Sequence, residues 1–295
     1  MSFNPALFYQ YGVSSAAIIS YTGQQGIECA TTGVNNPLLY PPSNSMTMSP
    51  DGTKVFAVLH NGNNEGFTRD SIMQFNLSTP WDLTTMSTKI GNTPTLNSFP
   101  GFSEQAPTGA MFSPDGLNLY VSGSSFNRVY RYTLSSAYTP STATAHSSFS
   151  TGLTGIVCLQ FSQDGYYMFI NSSTGVNRFL LGTPWDITTA TLNGTNIIIN
   201  GSSFYFKTDG LSIFSFGGGA IIYRYYFSIA WDLSSYVKVE QSPSISSIVT
   251  NIGSFNGIYM SSDGKRFFFS NYVGTGYRVK AVDLSKPFIV NAVLG

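Results

Sequence analysis

The chain has 295 residues, of which 9% are charged and 15% aromatic, and its 14 basic and 14 acidic residues cancel. Neutrality removes the long-range attraction that nucleic-acid and anionic-membrane binders rely on, so neither partner is expected. The remainder leans on Ser, Thr, Asn and Gly, which suits strands, tight turns and a neutral polar surface rather than disorder.

The start, Met1-Ser2-Phe3-Asn4-Pro5, precedes a stretch with no basic residue before Lys54 and no long apolar run, so the features of a signal peptide are missing there. Nothing reaches transmembrane length, and no membrane insertion is expected. Residues 1 to 22 align without a gap on residues 112 to 133, with Tyr9 on Tyr120, Gly12 on Gly123 and Tyr21 on Tyr132. They read as a truncated copy of a repeat whose complete form follows. With Gly26 to Thr32 as an outer strand, residues 1–42 would form an incomplete unit beside the last one.

Full repeats of about 50 residues follow at 43–98, 99–151, 152–198, 199–252 and 253–295. Each carries an Asp-Gly phrase, in order Ser49-Pro50-Asp51-Gly52, Ser113-Pro114-Asp115-Gly116, Ser162-Gln163-Asp164-Gly165, Thr208-Asp209-Gly210 and Ser262-Asp263-Gly264. Alternating apolar stretches flank each phrase, as two antiparallel strands joined by a hairpin turn should read. A third strand ends four residues before an aromatic, in the pairs Leu77 and Trp81, Leu134 and Tyr138, Leu181 and Trp185, Phe227 and Trp231, Leu284 and Phe288. A weaker fourth strand lies beyond, for example Val237-Lys238-Val239. Four antiparallel strands per repeat is the blade of an all-β propeller. Six blades are favoured, the N-terminal one incomplete; the alternative is five blades with residues 1–42 as a closing arm. A missing inner strand leaves backbone groups to satisfy, so residues 1–42 are expected at an interface or sealing the ring.

Candidate chemistry is sparse. Five Asp belong to turns, and Asp82, Asp186 and Asp232 follow tryptophans. Glu28, Glu65, Asp70, Glu104, Glu240 and Asp283 are scattered, without the pairing that general acid and base work needs. His60 and His146 lie in different units with no partner at metal-ligand spacing, so no metal and no cofactor is expected. Cys29 and Cys158 read as buried small hydrophobes, and Gly217-Gly218-Gly219 as a hairpin loop rather than a phosphate cradle. No Gly-x-Ser-x-Gly phrase stands at a strand-to-helix turn. The inner-strand segments, such as Ser45 to Met48 and Gly109 to Phe112, carry none of the carboxylates that a calcium-dependent propeller hydrolase would need, so no catalytic residue is assigned.

Three groups remain as candidate contact positions. Trp81, Trp185, Trp231 and Tyr138 offer rings that could stack on sugars, although packing between blades is the stronger reading for an aromatic at a fixed repeat position. Asn63, Asn64 and Phe67 sit in an insertion, Asn61 to Thr68, and Ser87 to Gln105 is another long connection of the kind that carries recognition. Arg131, Arg178 and Arg224 recur on one strand face of three successive units, either as an anion-binding arc or, the favoured reading, in internal pairs with Asp115, Asp186 or Asp232.

The run Phe112-Ser-Pro-Asp-Gly-Leu-Asn-Leu-Tyr-Val-Ser-Gly resembles the repeat of YVTN-type propellers. Joined to Val129-Tyr-Arg-Tyr-Thr-Leu-Ser and Thr183-Pro-Trp-Asp-Ile-Thr-Thr-Ala, it is similar to the Pro-Trp-Asp propeller repeats of tailed-phage structural proteins. The resemblance spans nearly the whole chain, with Tyr138-Thr139 and Phe288-Ile289 departing from Trp-Asp. It implies a non-enzymatic virion component in the tail, a fibre or the capsid surface, assembled in the host cytoplasm. Its partners would be other virion proteins and a host-surface glycan or receptor. A lectin-like propeller, secreted or on a cell surface, is the alternative.

Overall fold

The computed structural model describes residues 19–20, 25–28, 45–60, 70–87, 91–99, 104–242, 244–247, 254–273 and 276–284. Two short strands, β1 (Ile19–Ser20) and β2 (Gln25–Glu28), come first. The first sheet then runs β3 (Met46–Met48), β4 (Lys54–Leu59), β5 (Ser71–Asn76) and β6 (Gly91–Asn92). The second holds β7 (Pro107–Phe112), β8 (Asn118–Gly123), β9 (Arg128–Leu134) and β10 (Ala143–Ser150). The third holds β11 (Cys158–Phe161), β12 (Tyr167–Ser172), β13 (Gly175–Leu181) and β14 (Ala190–Leu192). The fourth holds β15 (Phe204–Phe206), β16 (Ser212–Gly217), β17 (Ile221–Phe227) and β18 (Tyr236–Gln241). The fifth holds β19 (Ser254–Met260), β20 (Arg266–Val273) and β21 (Gly276–Leu284). Every sheet is antiparallel, and from β3 to β21 the strands of each pair in sequence order, which defines a β-propeller.

The Asp-Gly phrases make the inner hairpins by one hydrogen-bond pattern. In the second blade Ser113 Oγ donates to Asp115 at 2.5 Å, Asp115 accepts from Leu117 N, and Ser113 Oγ accepts from Asn118 N. The same bonds recur around Ser49, Ser162 and Ser261. In the fourth blade Lys207 occupies the Ser position and reaches Asp209 with its ammonium instead. The closing glycine sits in the left-handed region, for example Gly165 at φ 77°, where a side chain is strained. A mixed aliphatic and aromatic core fills each seam between neighbouring sheets.

Among the described residues the ring holds five blades, the smaller of the two counts that the sequence allows. Inner strands touch in the order β3, β7, β11, β15, β19 and back to β3. At the closing contact a Cβ on Gly257 would stand 2.6 Å from Met46 N, so the first and last blades meet backbone to backbone with no room for a sixth. The N-terminal strands do not found a blade of their own. Ile19 pairs with Leu284 and Gln25 with Lys280, so β1 and β2 line the outer edge of β21 and give the fifth blade its fourth strand. The physical reason is supply and demand of edges: β21 extends over 9 residues, and a strand edge of that length needs a partner. The rest of residues 1–42, including Cys29, lies outside the described residues.

Gly257→Ala is expected to lower the unfolding free energy by about 1–3 kcal/mol, because the added methyl forces two strands apart. Gly218, around which a Cβ would meet nothing within 4 Å, is the control: Gly218→Ala should stay within about 0.5 kcal/mol of the parent in a urea titration.

Candidate functional site

The repeat aromatics hold the seams. Trp81, Trp185 and Trp231 all have φ 64° and Tyr138 has φ 51°, a conformation that bulky residues rarely adopt. It folds each ring back over the turn glycine of its own blade. A Cβ on Gly52 would lie 2.2 Å from the Trp81 ring, and Gly116, Gly165 and Gly210 stand in the same relation to Tyr138, Trp185 and Trp231. Three of the rings also reach the preceding blade: Trp81 contacts Tyr259 and Phe268, Trp185 contacts Tyr120, and Trp231 contacts Phe169, with centroids 5.9–6.3 Å apart. Each ring is half-buried between its own turn and its neighbours. Phe288, at the same repeat position in the last blade, lies outside the described residues.

The same backbone twist turns the aromatic's carbonyl toward the preceding blade, where a donor meets it. Lys54 Nζ donates to the Tyr138 carbonyl at 3.1 Å and the Tyr120 hydroxyl to that of Trp185 at 2.6 Å. Arg178 Nη1 donates to the Trp231 carbonyl and Arg266 Nη1 to the Trp81 carbonyl, both at 2.8 Å. The acceptor is constant while the donor comes from three residue types on four different strands, β4, β8, β13 and β20. Each following Asp caps a short 3-10 turn: Asp82, Asp186 and Asp232 accept from the backbone and hydroxyl two residues on. These bonds, led by that of the hydroxyl, hold the Asp186 and Asp232 carboxyls below the usual carboxylate range.

The three arginines stay separate. Arg131 Nε donates to Asn118 in its own blade, and the Arg224 guanidinium lies over Phe214 and Tyr226 with Nε toward Ser212. Arg178 pairs with Asp232 at 3.4 Å and with Asn193 at 2.7 Å, linking the third and fourth blades. Asn63, Asn64 and Phe67 lie outside the described residues, as do Glu65 and part of the 87–105 connection.

Three carboxylates that look scattered in the sequence are engaged. Asp70 is buried, 3.4 Å from His60 Nδ1. Asp283 forms a two-pronged pair with Arg266, whose Nη1 also caps Trp81 at the closing seam. Glu104 is fully buried and accepts from Ala106 N at 2.7 Å and Ser125 N at 3.2 Å, tying the entry of the second blade to a hairpin loop. Gly123 is the only signal for Glu104, since a Cβ there would fall 1.9 Å from its carboxyl carbon.

The central channel holds a cavity of about 220 Å³. Its mouth is ringed by one repeat position, Pro50, Pro114, Gln163, Thr208 and Ser262, on the face of the Asp-Gly turns. Two residues before each turn serine or its replacement, Thr47, Met111, Gln160, Tyr205 and Tyr259 form the wall. Two residues deeper the position is small in every blade, Ser45, Gly109, Cys158, Ser203 and Gly257, and the strands crowd together. Wall side chains also satisfy the inner edge: Phe206 N donates to Gln160 Oε1 at 2.5 Å and Phe161 N to Met111 Sδ at 3.2 Å. Burial pushes the Cys158 thiol up to about 12, so it stays protonated at neutral pH and is no nucleophile. Among the described residues no cluster of His, Cys, Asp and Glu could hold a metal ion, and no helix is long and apolar enough to cross a membrane.

No family model and no curated protein matches the chain. Solved structures resemble it in fold. A putative 6-phosphogluconolactonase from Bacteroides uniformis is 17% identical over 82% of this chain and 69% of that one, with a TM-score of 0.46. A functionally unknown protein from Desulfotomaculum acetoxidans is 14% identical over 85% and 75%, with a TM-score of 0.47. The Cps50 (Swd1) β-propeller domain of Myceliophthora thermophila is 12% identical over 80% and 68%, with a TM-score of 0.44.

Arg178→Met is expected to cost about 1–3 kcal/mol in chemical denaturation, from the lost charged hydrogen bonds across the seam. The capping aspartates set an acid limit. Because their folded-state values are depressed, their stabilisation is complete above the unfolded value of about 4 and disappears as pH falls through the folded value. Thermal melts should therefore fall below about pH 4, and Asp232→Ala should cost about 0.5–2 kcal/mol at neutral pH while flattening that acid limb.

Proposed function

We propose that the chain is a structural component of a tailed-phage particle, placed in the tail, a fibre or the capsid surface, and not an enzyme. The observation that carries this reading is that the aromatic and polar side chains at the described seams go into packing one blade on the next. The aromatics, their capping aspartates and the seam donors Lys54, Tyr120, Arg178 and Arg266 bind one blade to the next. The resemblance of the Ser-Pro-Asp-Gly and Pro-Trp-Asp repeats to phage propeller repeats supports it as well. So does the channel, whose described lining is built from Met, Ser, Thr, Pro, Gln, apolar and aromatic residues and brings together no carboxylate or imidazole for hydrolysis.

Among the described residues the outside of the ring offers one surface to partners. Leu180, Leu192, Ile229 and Tyr236 are exposed apolar side chains on the outer parts of the third and fourth blades. Surfaces of that kind suit packing against other subunits. Sugar stacking needs an accessible ring face; one face of each repeat aromatic presses against its turn glycine, and the part left open at Tyr138, Trp185 and Trp231 borders the channel cavity.

The test is peptide mass spectrometry on density-purified particles from the source culture. The chain is expected at a fixed ratio to the capsid and tail proteins; its absence from intact particles would overturn the proposal.

A further inference from the structure

We infer that the channel cavity is a binding site for a small, uncharged aromatic molecule bearing a hydrogen-bond acceptor, such as an aryl amide or aryl ketone. The inference is independent of any role in a particle. It starts from the wall, where Met111, Gln160 and Tyr259 remain partly accessible although they lie at the centre of the ring. All three border the cavity, and Met111 and Tyr259 pack against the seams with the rest of their side chains.

Size comes first. An apolar cavity of about 150 Å³ in another protein takes benzene, so a space of about 220 Å³ takes a ring with one substituent. Shape agrees, since the channel narrows at the tier of small residues, where a Cβ on Gly109 would stand 3.1 Å from Cys158 Cα. A flat ligand entering at the proline-bearing mouth would stop there.

Chemistry narrows the class. Tyr205 and Tyr259 meet edge to face at 5.3 Å, and thioethers such as that of Met111 make favourable contacts with ring edges. Gln160 lines the cavity and uses Oε1 to accept from Phe206 N, so its NH₂ is the donor it has to offer a ligand. A ligand with a carbonyl oxygen answers that donor. Charged ligands do not fit, because the lining supplies no opposite charge to offset the loss of water.

The experiment uses the full chain with ¹³C-methyl methionine and three probes of equal ring size: benzamide, benzoate and benzylamine. Benzamide is expected to shift the Met111 methyl with a dissociation constant of about 1 mM or tighter. Benzoate and benzylamine should bind at least about 10-fold more weakly. The methyls of Met73 and Met168, which are buried in the seams away from the channel, should not move. Thr47→Phe, which fills the wall at a buried position, should abolish the Met111 shift and lower the melt while keeping it cooperative. The inference is overturned by an unmoved Met111 methyl, by benzoate binding as tightly as benzamide, or by a folded Thr47→Phe protein that still binds. If that variant does not fold, the comparison of Met111 with Met73 in the parent chain decides by itself.

Discussion

The contact on which the ring depends is an aromatic side chain lying on a glycine. At Trp81, Trp185 and Trp231 a bulky residue is held in the left-handed region, at a cost of about 1–3 kcal/mol each. The cost is offset because one conformation does two things. It buries the ring over the hairpin turn, and it aims the carbonyl at a donor on the preceding blade. The Asp that follows then caps the next turn and fixes the conformation. Remove the glycine and the ring has nowhere to lie; remove the ring and the carbonyl loses its aim.

This coupling explains why the fold was legible and the seams were not. The Asp-Gly phrase and the aromatic four residues beyond each third strand are local signals, and both recur at fixed spacing. The seam donors are a different matter. Lys54 and Arg266 stand two residues past their turn glycine, whereas Tyr120 and Arg178 occupy other positions, yet all meet an equivalent carbonyl. Repeat alignment finds positions, and here geometry selected reach instead. Arg178 shows the partial case: its pairing with Asp232 is one that the sequence suggests, while its bond to the Trp231 carbonyl is invisible without coordinates.

The blade count turned on a comparable point. The N-terminal alignment with residues 112 to 133 is real as a sequence similarity, but Ile19–Ser20 pairs along an outer edge and not inside a new sheet. Ring size is decided at the narrowest tier, where Gly109 and Gly257 let inner strands approach closely. Two glycines among 29 mark that tier; the sequence places Gly109 on an inner strand, but not that it meets a neighbouring blade's backbone there. Glu104 and Gly123 make a similar pair, a buried carboxylate and the vacancy that admits it, separated along the chain and joined only in space.

The pairing of Ile19 with Leu284 also sets an order of events for a growing chain. The segment that completes the fifth blade is made early, whereas the strand edge it covers is made late. Throughout synthesis β1 and β2 must wait without their partner while four blades assemble from local hairpins, each able to fold as it emerges. Closure is thus a single long-range step that waits for β21. A nascent ring interrupted before β21 would present β1 and β2 to whatever open strand edge lies nearest, including that of a neighbouring chain on the same message.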